Sequence, residues 1–103
     1  VSAPTFHDEA DALSQANDTR FGLAAGIFTR DVGRALRVSK AVRAGIVWVN
    51  TYRMVSPLAP FGGYKDSGYG RESGMQAIYD YTRPKTVWLN TSAEPITDPF
   101  IMR

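Results

Sequence analysis

Ile46-Val47-Trp48-Val49 places four apolar residues in succession, three of them β-branched. Side chains alternate between the two faces of a strand, so both faces here are apolar. That pattern belongs to a strand covered on both sides, as in a parallel sheet. Parallel neighbours need a crossover connection, and the preceding residues supply one. Leu23 to Thr29 reads as a buried strand. Asp31 can cap a helix running to Val42, with Val32, Ala35, Leu36, Ser39 and Val42 on one stripe and Ser39 as its polar break. Gly45 is expected to end that helix as a C-terminal cap. Residues 23–50 thus have the length of a compact, right-handed βαβ unit, and the expected fold class is α/β.

Around this unit the chain is simpler. Residues 8–16 predict a short helix with Ala10, Leu13 and Ala16 on one face, ended by Asn17-Asp18. Residues 51–70 hold four Gly and two Pro, together with Tyr52, Met54, Val55, Leu58 and Phe61. A loop of this length is uncommon unless it carries a function. A further helix is expected from about Ser73 to Tyr81, with Met75, Ile78 and Tyr81 at spacing three. After Pro84, residues 86–90 predict a last strand, and residues 91–103 an extended arm.

Composition removes several chemistries. The 103 residues include no cysteine and one histidine, His7. Disulfides, thiolate metal sites and a cysteine nucleophile are therefore absent from these residues, and no His-based zinc cluster is possible. A formal charge of +2 is too small to argue for nucleic acid. No apolar stretch approaches the roughly 20 residues that span a bilayer. No secretory leader pattern is visible at the start, which leaves cytoplasm as the default compartment. The chain opens on Val1 rather than Met, as a processed protein or a piece of a longer one would.

In open α/β sheets, ligands bind beyond the carboxyl ends of the parallel strands. Here that end is Val49-Asn50, where the Gly/Pro-rich loop begins. Asn50, Tyr52 and the apolar loop residues therefore stand at the expected crevice. The Asn50 amide can either tie the loop down or polarise a substrate carbonyl. Gly63-x-x-x-x-Gly68 lacks the Lys-Ser/Thr of a phosphate loop. Gly68-x-Gly70 with Gly74 has the wrong spacing for a dinucleotide fingerprint and follows no strand. These glycines read as turn and close-contact residues. Arg30, Arg34, Arg37, Lys40 and Arg43 form a basic helix stripe without interleaved aromatics, better read as a solvated face than as a nucleic-acid surface. Trp48 and Trp88 read as core residues of their strands, and His7 as a surface residue. Glu9, Glu72, Glu94, Lys65 and Ser67 make no catalytic constellation, so no catalytic, cofactor-binding or metal-binding residue is assigned.

Three blocks carry a family resemblance. They are Val47-Trp48-Val49-Asn50-Thr51-Tyr52, then Pro60-Phe61-Gly62-Gly63-Tyr64-Lys65-x-Ser67-Gly68-x-Gly70-Arg71-Glu72-x-Gly74, then Tyr81-Thr82-x-x-Lys85-Thr86-Val87-Trp88. With Ala16-Asn17-Asp18-Thr19-Arg20-Phe21-Gly22-Leu23-Ala24-Ala25-Gly26, they resemble the C-terminal part of the NAD(P)-dependent aldehyde dehydrogenase superfamily, betaine aldehyde dehydrogenases included. The resemblance covers residues 1 to 90.

It implies a parent enzyme that oxidises aldehydes to carboxylic acids through a cysteine thiohemiacetal, with NAD or NADP as hydride acceptor. The family's cysteine, general base and dinucleotide domain precede the matching region, so this chain alone is expected to bind no cofactor and to be inactive. Phe61 matches an aromatic lining the aldehyde tunnel. Val55 matches a second tunnel position, where several members carry an aromatic, which implies a wider or differently shaped pocket. Asn50 matches the family's strand-end asparagine. Residues 1–82 correspond to the end of the catalytic domain, and 83–103 to the oligomerisation strand and tail. The implied partners are the rest of the enzyme chain, a second subunit through residues 86–90 and an aldehyde, with no nucleic acid and no membrane. The alternative is a stand-alone interaction module recruiting partners through an exposed edge strand.

Overall fold

A computed structural model describes residues 2–95, 98, 100 and 101. The elements in chain order are α1 (Glu9–Asn17), β1 (Phe21–Gly22), β2 (Ala24–Ile27), α2 (Val32–Ala41), β3 (Ile46–Val49), β4 (Tyr64–Lys65) and α3 (Ala77–Tyr81). β2 and β3 pair in parallel, with Ala24 opposite Ile46 and Ile27 opposite Val49. The expected β-α-β unit is therefore present, built on β2, α2 and β3. Asp31 caps α2 by accepting from the Arg34 amide at 3.0 Å. That bond is the leading cause holding its carboxyl below the usual aspartate value.

α1 docks on α2 through polar groups. Arg37 donates to both Glu9 carboxylate oxygens at 2.9 Å, and Arg34 reaches Oε2 at 3.4 Å. Two members of the basic stripe are thus spent on holding α1. Asn17, the last residue of α1, donates to the Ala41 carbonyl at 3.1 Å and accepts from the Arg43 amide at 2.7 Å. One side chain so joins the C-terminal ends of both helices.

Several expectations need correction. Gly45 is not a helix cap: α2 ends at Ala41 with Val42 as its extended cap. Gly45 instead donates to the Gly22 carbonyl at 3.1 Å, and a Cβ on it would collide with the Gly62 carbonyl. The helix expected from Ser73 starts only at Ala77. Ser73 and Gly74 take φ of 62° and 63°, outside the right-handed helical region. The Gly74 amide is used on the Pro57 carbonyl at 2.9 Å. Residues 86–90 form no strand, because no neighbouring strand faces them among the described residues. Trp88, expected in a core, is 93% exposed for the same reason. The arm expected over 91–103 falls partly on positions outside the described residues.

Coverage of the sheet is also incomplete. Ala35 and Ala44 are the buried apolar residues among those described, while Phe28, Val32 and Leu36 stay exposed. The radius of gyration is 22.6 Å, against about 13 Å for a compact domain of this length. The apolar faces that the sequence marks as buried are therefore only half covered by these residues.

Two outcomes follow from these contacts. Gly45→Ala should lower stability by about 2 kcal/mol, because the added methyl meets backbone rather than a movable side chain; thermal unfolding checks it. The Arg37 hydrogen bond is the leading cause that lowers the Glu9 carboxyl from its ordinary 4.5. Its contribution is therefore full above that value and lost as pH falls through the lowered one. Amide-exchange protection in α1, corrected for the intrinsic exchange rate, should fall in that acidic window, and Glu9→Gln should remove the part of the fall that Glu9 carries.

Candidate functional site

The carboxyl ends of β2 and β3 are tied together by one residue. The Asn50 amide nitrogen donates to the Thr29 carbonyl, and its Oδ1 accepts from the Thr29 N–H, each at 2.9 Å. Its own N–H continues the ladder to the Ile27 carbonyl at 2.8 Å. Asn50 stands at φ 53°, a left-handed conformation that asparagine tolerates better than most residues. The chain thereby turns out of the sheet into the loop. Of the two roles open for Asn50, the geometry displays the tie.

The loop then folds back on its own strand. The Tyr52 ring meets Trp48 edge-on, with centroids 5.5 Å apart. The Trp48 indole N–H donates to the Met54 carbonyl at 2.7 Å. Downstream, Phe61 and Glu72 exchange backbone hydrogen bonds of 2.6 and 2.7 Å, which close the segment between them into a ring. These pins leave a groove of about 390 Å³ whose wall includes Ile46, Met54, Val55, Pro60, Phe61 and Glu72. Val55 and Phe61 thus line the same groove. Tyr52 lies outside this lining, against Trp48, and Asn50 lines a separate cleft with Thr29, Val32 and Leu36.

Sequence reasoning did not foresee what the polar residues of the glycine-rich block do. Lys65 donates to the Asn17 and Thr19 carbonyls at 2.9 Å each, closing the end of α1. Ser67 Oγ accepts from the Gly22 amide at 3.0 Å. Arg71 donates to the Gly63 and Gly70 carbonyls at 2.9 Å and lies over the Tyr64 ring at 5.6 Å. Arg20 and Asp66 pair at 2.8 Å. The block is a clip that fastens β4 to β1 and spends its polar side chains on backbone groups. The available signal was a run of long polar residues among glycines, the composition of a chain that must satisfy its own carbonyls.

The same block lacks the strand–turn–helix geometry of a dinucleotide fingerprint. Gly68, Gly70 and Gly74 neither follow a parallel strand nor lead directly into a helix, since α3 begins at Ala77 and has only 5 residues.

A sequence profile of the aldehyde dehydrogenase family matches residues 1–87. The chain belongs to that family. The (Z)-2-((N-methylformamido)methylene)-5-hydroxybutyrolactone dehydrogenase of Acinetobacter baylyi is 58% identical over 103 residues, all of this chain and 21% of that protein. The betaine aldehyde dehydrogenase of Brucella anthropi is 47% identical over 86% of this chain and 18% of its own length. Among solved structures, PnpE from Pseudomonas sp. WBC-3 superposes with a TM-score of 0.82 at 45% identity, over 92% of this chain and 19% of that one. PnpE in complex with nicotinamide adenine dinucleotide gives 0.81. The chain thus spans about a fifth of the length of these relatives. No helix among the described residues is long and apolar enough to cross a membrane.

The strand-end tie makes its own prediction. Asn50→Ala should cost more stability than Asn50→Gly, by about 1–2 kcal/mol, because both lose the amide bonds and only alanine resists the left-handed turn. Paired thermal melts of the two variants in the complete protein measure the difference.

Proposed function

We propose that these residues form a substrate-facing wall and a subunit-contact segment of an enzyme that oxidises aldehydes to carboxylic acids with NAD(P)+. The groove shared by Val55 and Phe61, which Ile46 at the start of β3 also lines, carries this reading. Family membership supplies the chemistry. The residues that bind the hydride acceptor and the cysteine that forms the thiohemiacetal belong to parts of the enzyme outside these 103 residues. The chain's own task is shape. Phe61, held by its backbone exchange with Glu72, offers a rigid ring to the apolar part of an aldehyde. Val55 sets the width opposite, and a valine there leaves room that an aromatic would fill. Asn50 holds the strand ends so that the wall keeps its place, and Tyr52 packs against Trp48.

Residues 86–90 complete the proposal. Lys85 to Asn90 are exposed and belong to no helix or strand, with Val87, Trp88 and Leu89 at 76%, 93% and 82%. An exposed apolar segment with unused backbone groups is a template for strand addition. We assign it to contact with a second subunit, with residues 83–103 as that segment and 1–82 as the end of the catalytic domain.

The test uses the complete enzyme and reads aldehyde-dependent NAD(P)+ reduction. Phe61→Ala should raise the aldehyde KM about tenfold while the cofactor KM stays nearly unchanged. Val55→Phe should leave short aldehydes as substrates and exclude bulky ones. A change confined to the cofactor KM would refute the assignment of the wall.

A further inference from the structure

The groove wall has no hydrogen-bonded ladder of its own between Thr51 and Pro60. Its shape depends on whatever pins the turn between Tyr52 and Val55. Arg53 stands at φ 58°, a conformation that arginine resists unless its neighbours impose it. On one side of that corner the Tyr52 ring rests against Trp48. On the other, the Met54 carbonyl receives the Trp48 indole N–H at 2.7 Å. Both anchors come from a single side chain. Trp48 is itself fixed by the sheet, opposite Gly26 in the β2–β3 register. A Cβ added at Gly26 would meet the Phe28 ring at 3.9 Å and the Tyr52 ring at 4.0 Å, both ordinary van der Waals contacts.

We propose that Trp48 is a positioning residue for substrate: its indole N–H holds the Met54 carbonyl and thereby fixes Met54 and Val55 in the groove. It touches no substrate and acts through the loop. The strand residue thus sets which aldehydes the wall accepts, by deciding where Val55 stands relative to Phe61. This inference rests on the proposed reading of the groove and adds the element that governs its width.

Trp48→Phe removes the N–H and keeps an aromatic edge for Tyr52. In the complete enzyme, we expect the KM of branched or aromatic aldehydes to rise about five- to tenfold, the scale of one lost hydrogen bond. The KM of acetaldehyde, too short to reach Val55, and the KM of the dinucleotide should stay within about twofold on the same scale. Replacement of Trp48 by 3-benzothienylalanine, which keeps ring size and lacks only the donor, should reproduce that pattern. Restricted loss for long aldehydes is the readout that a general structural role would not give. Equal losses for all aldehydes, an unchanged KM for bulky ones, or a benzothienylalanine enzyme indistinguishable from wild type would each overturn the proposal. Failure of the broader reading looks different: the unaltered enzyme would then reduce no dinucleotide with any aldehyde.

Discussion

The structure depends on a close approach of three backbone segments that only glycine permits. Gly45 donates to the Gly22 carbonyl, and the Gly62 carbonyl sits where a Gly45 Cβ would be. Gly22 is in turn held by Ser67. At this point the start of the parallel pair meets the β1–β4 pair and the glycine-rich clip. Remove the contact and the groove wall loses its connection to the sheet, because Phe61 immediately precedes Gly62. Local sequence, sheet register and site geometry are coupled through a few atoms of main chain.

Much of the architecture was legible because it follows from local chemistry. The apolar run at 46–49 and the capped stripe from Asp31 fixed a strand and a helix, and their order left few alternatives to a parallel pair. The carboxyl-end rule then pointed to Asn50 and the following loop without a ligand in view. The misjudged elements share a different origin. Gly45 resembles a helix cap in sequence, yet its reason is Gly62, 17 positions further on. Ser73 and Gly74 resemble the first turn of a helix, yet Pro57 takes the Gly74 amide. Periodicity cannot report a partner so distant in the chain.

Residues 86–90 and Trp88 show the same limit in another form. Their β-branched and aromatic content is that of a strand, yet they form none. A strand becomes part of a sheet only when a neighbour accepts its hydrogen bonds, and propensity says nothing about where that neighbour comes from. The half-covered faces of α2 and β3 carry the same message. They are as apolar as a core requires, while these residues supply only part of the cover. A chain spanning about a fifth of its relatives' length is suited to be one wall of a larger enclosure.

That account makes the groove between Val55 and Phe61 the place where the chain meets an aldehyde. A crystal structure of the complete enzyme with a bulky carboxylate product bound tests it most directly. The account predicts apolar product carbons within about 4 Å of both side chains, the range of van der Waals contact. A product seated with neither side chain against it would contradict the assignment, whatever the activity of the enzyme.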